Sequence, residues 1–186
     1  VGELGWELHL PVEYATQVYQ KIMQAGQQHG IQNAGYRAIE SLRLEKGYRA
    51  WSADIGPDHT PFESGLGWAV KLKTDIEFKG KAAIKQQVKD GVKKMLACFT
   101  IENPDVILLG RETIYRNGHR VGWLSSGGFG YTAGLPIGYG YVRCAEGVDA
   151  DYIRAGEYEI EVSTQRIKAT VHMKPLYDPD MKRVKC

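Results

Sequence analysis

The stretch TIYRNGHRVGWL, residues 113–124, is a predicted β-hairpin. Apolar and polar side chains alternate on both sides of Asn117-Gly118, as they do in strands that bury one face. Asn and Gly both accept the positive φ that a two-residue turn between antiparallel strands requires, so this pair is a strong hairpin signal. The stretch therefore predicts antiparallel β structure in the second half of the chain.

Similar alternation continues on both sides of this hairpin. After residue 91 the segments between turn residues give six candidate strands, at 94–101, 113–116, 120–124, 137–143, 158–162 and 167–173. No helical pattern separates them. Six short strands without intervening helices favour a closed barrel or a small sandwich. We therefore expect a mostly β domain over residues 92–186.

The first half of the chain shows helical periodicity instead. Apolar residues recur at helical spacing from residue 11 to 29, and Pro11 suits a first helical turn. Asn33 can cap a second helix that ends at Gly47. Residues 81–89 form a third predicted helix, which the Asp-Gly pair at 90–91 stops. The fold class we predict is α+β, with the helices in residues 1–91.

Three segments of the first half are expected to be extended or irregular. In GELGWELHLP, residues 2–11, Trp6, Leu8 and Leu10 alternate with Glu7 and His9, which predicts a half-buried strand. Turn formers and aromatics at 51–67 predict a loop, and residues 68–73 resemble a short strand. A natural chain rarely begins within a strand, so we expect a domain taken from a longer protein.

The composition is that of an ordinary globular protein. The 186 residues carry 24 Lys and Arg against 22 Asp and Glu, a net charge of +2, and 43% are hydrophobic. This balance argues against disorder and against a polyanion-binding surface, including one for nucleic acid. No run approaches the roughly 18 apolar residues of a membrane span, and no signal-peptide pattern is present. Cys98, Cys144 and Cys186 lack metal or redox spacing, so we interpret them as reduced thiols of an intracellular protein.

Motif spacing alone reveals no catalytic constellation. The sequence contains no P-loop, HExxH or GxSxG motif. Five scattered histidines favour structural or solvated roles over a metal site. Glycines crowd around Ser125 and Ser126 within residues 122–130, a composition shared with phosphate-binding loops. No helical pattern follows them, so turns between barrel strands are favoured.

Glu7 is the most interesting polar residue of the predicted first strand. On a strand, its carboxylate faces the side opposite Trp6 and Leu8. There it can accept two parallel N–H hydrogen bonds from a flat heterocycle. The alternative is a solvated strand residue without a ligand.

Four motifs occur in the order found in one enzyme family: GELGWE at 2–7, NAGYRA at 33–38, SLRLEKGYR at 41–49 and TPFESGL at 60–66. They resemble the folate-binding aminomethyltransferase family, the glycine-cleavage T-protein. The resemblance runs along essentially the whole chain. The segment YRAWSAD at 48–54 and the tail at 177–185 are most similar to the flavin-dependent branch, whose members demethylate sarcosine and related amines.

This resemblance implies an architecture and two cofactors. Residues 1–91 would be the C-terminal part of the folate-binding domain, and residues 92–186 the family's C-terminal β-barrel. Tetrahydrofolate would capture the one-carbon unit from oxidative demethylation of sarcosine. The chain has no flavin fingerprint, so FAD would belong to a separate N-terminal domain. The family's catalytic aspartate would also lie upstream, so no catalytic residue is assigned and the segment alone is expected to be inactive.

The resemblance also implies three folate-binding residues. The family's pterin-recognising glutamate falls on Glu7, whose carboxylate suits the aminopyrimidine edge of a pterin. An arginine that helps to hold folate falls on Arg37, with an ion pair to Glu40 as the alternative interpretation. An aromatic folate contact falls on Trp68, with a core tryptophan as the alternative.

Two other functions share these features. A glycine-cleavage aminomethyltransferase acting with a lipoyl-carrying protein shares Glu7 and Arg37. A regulatory subunit of pyruvate dehydrogenase phosphatase shares the architecture. A flavin domain would separate the dehydrogenase from the transferase, and folate binding would separate both from the regulator. The implied location is the mitochondrial matrix in a eukaryote or the cytoplasm in a bacterium.

Overall fold

A computed structural model describes residues 1–185, in which four α-helices and six β-strands are formed. The helices are α1 Val12–Gly26, α2 Tyr36–Lys46, α3 Lys81–Asp90 and α4 Ala150–Arg154. The strands are β1 Val92–Thr100, β2 Thr113–Arg116, β3 His119–Gly130, β4 Leu135–Val148, β5 Tyr158–Val162 and β6 Gln165–His172. Helices thus precede the β region, apart from the short α4, and the α+β class is confirmed.

The six strands form a closed antiparallel barrel in the order β1-β4-β3-β2-β5-β6. The barrel closes where β1 pairs with β6, with Cys98 opposite His172 and Thr100 opposite Thr170. A closed sheet satisfies the backbone hydrogen bonds of each strand on both sides, because it has no free edge. Of the two predicted architectures, the barrel is therefore the one formed.

The predicted hairpin joins β2 to β3. Arg116 pairs with His119 across the turn, and Asn117 and Gly118 have φ values of 50° and 80°. β3 extends further than predicted, however, through Gly130. Turns were predicted around Ser125 and Ser126, and this prediction is wrong because glycines interrupt the alternation without ending the strand.

The barrel interior is an apolar core to which all six strands contribute. Phe99, Ile114 and Ile160 are completely buried there, together with the buried members Ala97, Leu124, Val142, Val148, Tyr158 and Ala169. The unpredicted helix α4 adds Ile153 to this core. Asp149 caps α4 by accepting a hydrogen bond from the Tyr152 backbone N–H at 2.7 Å. A helix of five residues is too short to show a periodicity in the sequence.

Helix α2 covers part of the outer barrel surface. Leu44 at its C-terminal end is buried in a second apolar cluster with Leu96, Cys98, Ile137, Tyr139 and Tyr141. Leu96 and Cys98 alternate along β1 with the interior residues Ala97 and Phe99, so the two clusters lie on opposite faces of that strand. Gly47 ends α2 with a φ of 70°, as predicted.

Two predicted strands are absent from the part of the chain that the structure describes. Residues 2–10 are irregular, and from Glu3 to Leu10 they are exposed, with Trp6 88% accessible. Residues 68–73 begin with a single 3-10 turn, Gly67–Ala69, and continue as turns. A strand needs a neighbouring strand for its backbone hydrogen bonds. Every strand of the described chain belongs to the closed barrel, so neither segment has such a neighbour.

Candidate functional site

Glu7 lies on the irregular N-terminal segment, where its carboxylate is open to solvent. Its side chain is 85% exposed, and Oε1 lies 3.4 Å from Nε2 of His9. The segment is held to the rest of the molecule by Gly2, which packs on Lys46, and by Glu3, which accepts a hydrogen bond from the Tyr177 hydroxyl. A carboxylate in this position is available to a ligand or to another polypeptide.

Arg37 lies on the first turn of α2 and lines a cavity of about 430 Å³. The opposite wall comes from the loop before β2, including Ile107 and Leu109, and from Tyr131 beyond β3. The alternative ion pair with Glu40 is not formed. Glu40 instead accepts a hydrogen bond from Nε of Arg43 at 2.9 Å, and Arg37 itself is exposed.

Trp68 lies on the 3-10 turn and is 82% exposed, so it is not a core tryptophan. It lines a different cavity, of about 810 Å³, formed by the C-terminal end of α2, the turn itself and the segment after β6. Trp68 and Arg37 are therefore not brought into one cavity, and Glu7 lines neither of these two.

A buried polar network joins α2 to the barrel below the Arg37 cavity. Nη1 of Arg43 lies 2.7 Å from Oδ2 of Asp54 and 3.2 Å from Oγ of Ser126. The other carboxylate oxygen of Asp54 accepts hydrogen bonds from Ser125 at 2.5 Å and Ser126 at 2.7 Å. Asp54 is 1% exposed and Arg43 is 8% exposed. Because solvent cannot stabilise these two charges, each is compensated by the other in the ion pair.

No local sequence pattern indicates this network. Arg43 and Ser126 are 83 residues apart, so no local spacing links them. The available signals were a charged residue, Arg43, on the apolar side of a predicted helix, and two serines within a glycine-rich strand. Tyr141 extends the network by donating a hydrogen bond from its hydroxyl to the Asp54 carbonyl at 2.8 Å, and burial raises the pKa of that hydroxyl.

A second polar cluster anchors the segment after β6 to the end of α2. Nζ of Lys46 lies 2.7 Å from Oδ2 of Asp178 and 3.0 Å from its backbone carbonyl. Lys46 is 1% exposed. The hydrogen bond from Lys46 is the main reason that the pKa of Asp178 falls to about 2. This charged pair fixes one side of the cavity that contains Trp68.

The two described cysteines are free thiols. Burial raises the pKa of Cys98 to about 12, so its thiol stays protonated and unreactive at neutral pH. Cys186 lies outside the described residues. Among residues 1–185 there is no group of three His, Cys, Asp or Glu side chains that could hold a metal ion, and no helix there is long and apolar enough to cross a membrane.

Comparison with known proteins supplies the class to which this fold and these sites belong. Residues 1–74 match the family model of the GCVT N-terminal domain, and residues 94–178 match the glycine cleavage T-protein C-terminal barrel domain. The second match coincides with the six-stranded barrel, and the first contains α1, α2 and Trp68. The chain belongs to the glycine-cleavage T-protein family.

Individual relatives extend this result. The mitochondrial sarcosine dehydrogenases of mouse and human are 47% and 45% identical to the chain along its whole length. The chain spans about a fifth of these relatives. A mouse pyruvate dehydrogenase phosphatase regulatory subunit is 39% identical over 94% of the chain. The crystal structure of aminomethyltransferase T from Bartonella henselae superposes with a TM-score of 0.77 and 27% identity, covering 91% of this chain and 45% of that one.

Proposed function

We propose that the chain is the tetrahydrofolate-binding C-terminal part of a flavin-dependent sarcosine dehydrogenase. The observation that carries this proposal is the 47% identity with mouse sarcosine dehydrogenase, which extends through both family regions. FAD would be held by the remainder of such a protein, because the chain spans only a fifth of that relative. The mitochondrial matrix is the corresponding location in a eukaryotic source.

The accessible side chains have the chemistry that a folate requires. Tetrahydrofolate supplies the nitrogen atoms that take up a one-carbon unit. Glu7 offers an exposed carboxylate for the aminopyrimidine edge of a pterin. Trp68 offers an indole face beside a cavity, and Arg37 a guanidinium without an ion pair among residues 1–185. Because Arg37 and Trp68 line separate cavities, we propose that they contact different parts of the ligand.

The proposed role of this chain is binding and positioning. Held by these side chains, a folate would meet the one-carbon unit at a high effective concentration, which reduces escape of that unit into solvent. No residue of the chain is assigned a proton-transfer role, and we propose that the segment alone does not oxidise amines.

Two rival functions are separated by folate binding and by amine oxidation. Similarity to the pyruvate dehydrogenase phosphatase regulatory subunit favours a non-catalytic role, for which neither folate binding nor amine oxidation is expected. Similarity to the aminomethyltransferase of Alkaliphilus metalliredigens, at 30% identity, favours folate-dependent transfer without a flavin. A protein that binds tetrahydrofolate and oxidises sarcosine would exclude both.

Replacement of Glu7 by Gln tests the folate assignment. The change keeps the shape of the side chain and removes its charge, so the affinity for tetrahydrofolate should fall by about 1–3 kcal/mol. Calorimetric titration of the intact parent protein measures this loss, with Glu13→Gln on exposed α1 as the matched control. Equal affinities of the Glu7 and Glu13 variants would remove Glu7 from the site.

A further inference from the structure

The cavity beside Trp68 has the dimensions of a small-molecule site. Its volume of about 810 Å³ lies within the ~300–1,000 Å³ typical of ligand cavities. Much of its wall is apolar, with side chains such as Ile55, Leu66 and Met173. The exposed indole of Trp68 stands at this wall, so the cavity can accept a flat aromatic group.

Arg49 places a positive charge at the same cavity. Its Nη1 donates to the Gly47 carbonyl at 2.6 Å, and its Nε donates to the Ser64 carbonyl at 3.0 Å. These two bonds fix the plane of the guanidinium. At Gly65, whose φ is 69°, a Cβ would lie 2.7 Å from Nη2 of Arg49, so the backbone approaches the guanidinium closely. Nη2 itself makes no hydrogen bond within residues 1–185.

The charge of Arg49 is not neutralised by the described chain. Both of its hydrogen-bond acceptors are uncharged carbonyls, and within residues 1–185 it forms no ion pair. The neighbouring Lys46 is different, because Asp178 neutralises it at 2.7 Å. Lys185 adds a further positive charge at the cavity rim. A half-buried, immobilised cation of this kind is stabilised when an anion binds to it.

We propose that this cavity binds the carboxylate of a small aromatic acid. Arg49 takes the carboxylate through Nη2, and Trp68 packs against the aromatic ring. The inference rests on the proposed function, since Trp68 belongs to both, and it specifies which part of a folate would enter here. That part is the p-aminobenzoylglutamate end, whereas the pterin is assigned to Glu7.

Calorimetric titration of the intact parent protein with p-aminobenzoyl-L-glutamate tests this proposal. Arg49→Gln should weaken binding at least tenfold, and Arg49→Lys should weaken it less because the charge remains. Arg154→Gln is the matched control, since that arginine lies on α4 and is paired only with Asp151. Equal affinity of the wild type and a folded Arg49→Gln protein would overturn the proposal.

A second measurement does not depend on the folding of the Arg49→Gln protein. Wild-type affinity for the same probe should fall as salt rises from 50 to 500 mM, because salt screens the attraction between guanidinium and carboxylate. The diamide of p-aminobenzoyl-L-glutamate, in which uncharged carboxamides replace both glutamate carboxylates, should bind at least tenfold more weakly than p-aminobenzoyl-L-glutamate at low salt. A salt-independent affinity, or equal binding of these two small probes, would overturn the proposal.

The two proposals fail in different ways. Glu7→Gln should weaken tetrahydrofolate binding and leave p-aminobenzoyl-L-glutamate binding unchanged. If tetrahydrofolate fails to bind while the smaller probe binds through Arg49, the proposed folate function is wrong and the proposed carboxylate site is supported. If tetrahydrofolate binding depends on Glu7 and Arg49→Gln changes the affinity for neither ligand, the proposed carboxylate site is wrong and the proposed folate function is supported.

Discussion

The barrel and helix α1 are formed from equally regular sequence patterns but differ in what their apolar residues contact. In the barrel, Phe99 and Ile160 are completely buried within a closed sheet. In α1, none of the 15 residues is buried, and Val12 and Tyr14 are largely exposed. A sequence pattern thus specifies which face of an element is apolar, whereas burial of that face also needs a second surface.

The same difference separates a part of the chain that contains its own core from a part that does not. The barrel contains its own core, so its stability comes from contacts within the described chain. The segment with Glu7 and the helix α1 that follows it have little buried surface within residues 1–185. The residue proposed to recognise the pterin therefore lies outside the self-contained core, whereas Arg49 shares a cavity with the segment after β6.

The largest effect on stability is expected for Phe99→Ala in the barrel core. Phe99 is completely buried and its ring centroid lies 5.1 Å from that of Tyr158. Removing it should lower the free energy of unfolding by about 4 kcal/mol, because apolar contacts are lost and a cavity remains. Urea denaturation followed by circular dichroism measures this. A loss below about 1 kcal/mol would contradict the conclusion that the barrel core, unlike helix α1, is stabilised by contacts within the chain.

Asp54→Asn should have the next largest effect. The change removes the charge that compensates Arg43 in a buried position, and the expected loss of stability is about 3 kcal/mol. Glu40→Gln is the matched control, because Glu40 pairs with the same arginine from a more exposed position and should cost about 0.5 kcal/mol. If urea denaturation gives similar losses of unfolding free energy for both variants, burial of the Arg43–Asp54 pair does not set the cost of removing the acidic partner.

The contact between Lys46 and Asp178 should give the chain a distinct pH dependence. Because the pKa of Asp178 falls from 3.8 to about 2 on folding, its contribution to stability is complete above about pH 4 and is lost as the pH falls towards 2. Asp178→Asn should remove this part of the acid sensitivity. Urea midpoints at pH 5, 4 and 3 measure it, with Asp105→Asn as the surface control. Parallel pH profiles of wild type and the Asp178 variant would be the contrary result.

Tyr14→Ala on α1 is expected to have the smallest effect. The residue is 57% exposed, so the free energy of unfolding of the 186-residue chain should change by less than about 0.5 kcal/mol. Urea denaturation of this chain gives the value. A loss above about 1 kcal/mol would mean that α1 is packed in solution, for example against a second copy, and concentration dependence of the midpoint would identify that case.

The barrel was predictable because its signals are local. Alternation and the Asn117-Gly118 turn each occupy a few consecutive residues, and the structure forms strands at these places. The segments at 2–10 and 68–73 carry the same kind of signal without forming strands. Alternation of apolar and polar residues indicates which face of a strand would be apolar. It does not indicate whether another strand is present to form backbone hydrogen bonds with that segment.

The candidate site was less predictable because it depends on distant segments. Arg49 and Trp68 reach one cavity only because the chain returns to α2 after β6 and Lys46 binds Asp178, 132 residues later. The network of Arg43 and Asp54 likewise needs the serines of β3. The resemblance to the T-protein family singled out Glu7, Arg37 and Trp68, and their roles remain predictions.

Two glycines of β3 allow helix α2 to lie close against the barrel. A Cβ at Gly128 would lie 2.8 Å from a methyl group of Leu44, and one at Gly130 would lie 2.4 Å from Ile137 and 2.9 Å from Glu45. At these two positions β3 presents backbone to α2, and a side chain at either glycine would collide with Leu44 or Glu45 of the helix. The close packing of the helix that carries Arg37 against the barrel therefore depends on these two glycines.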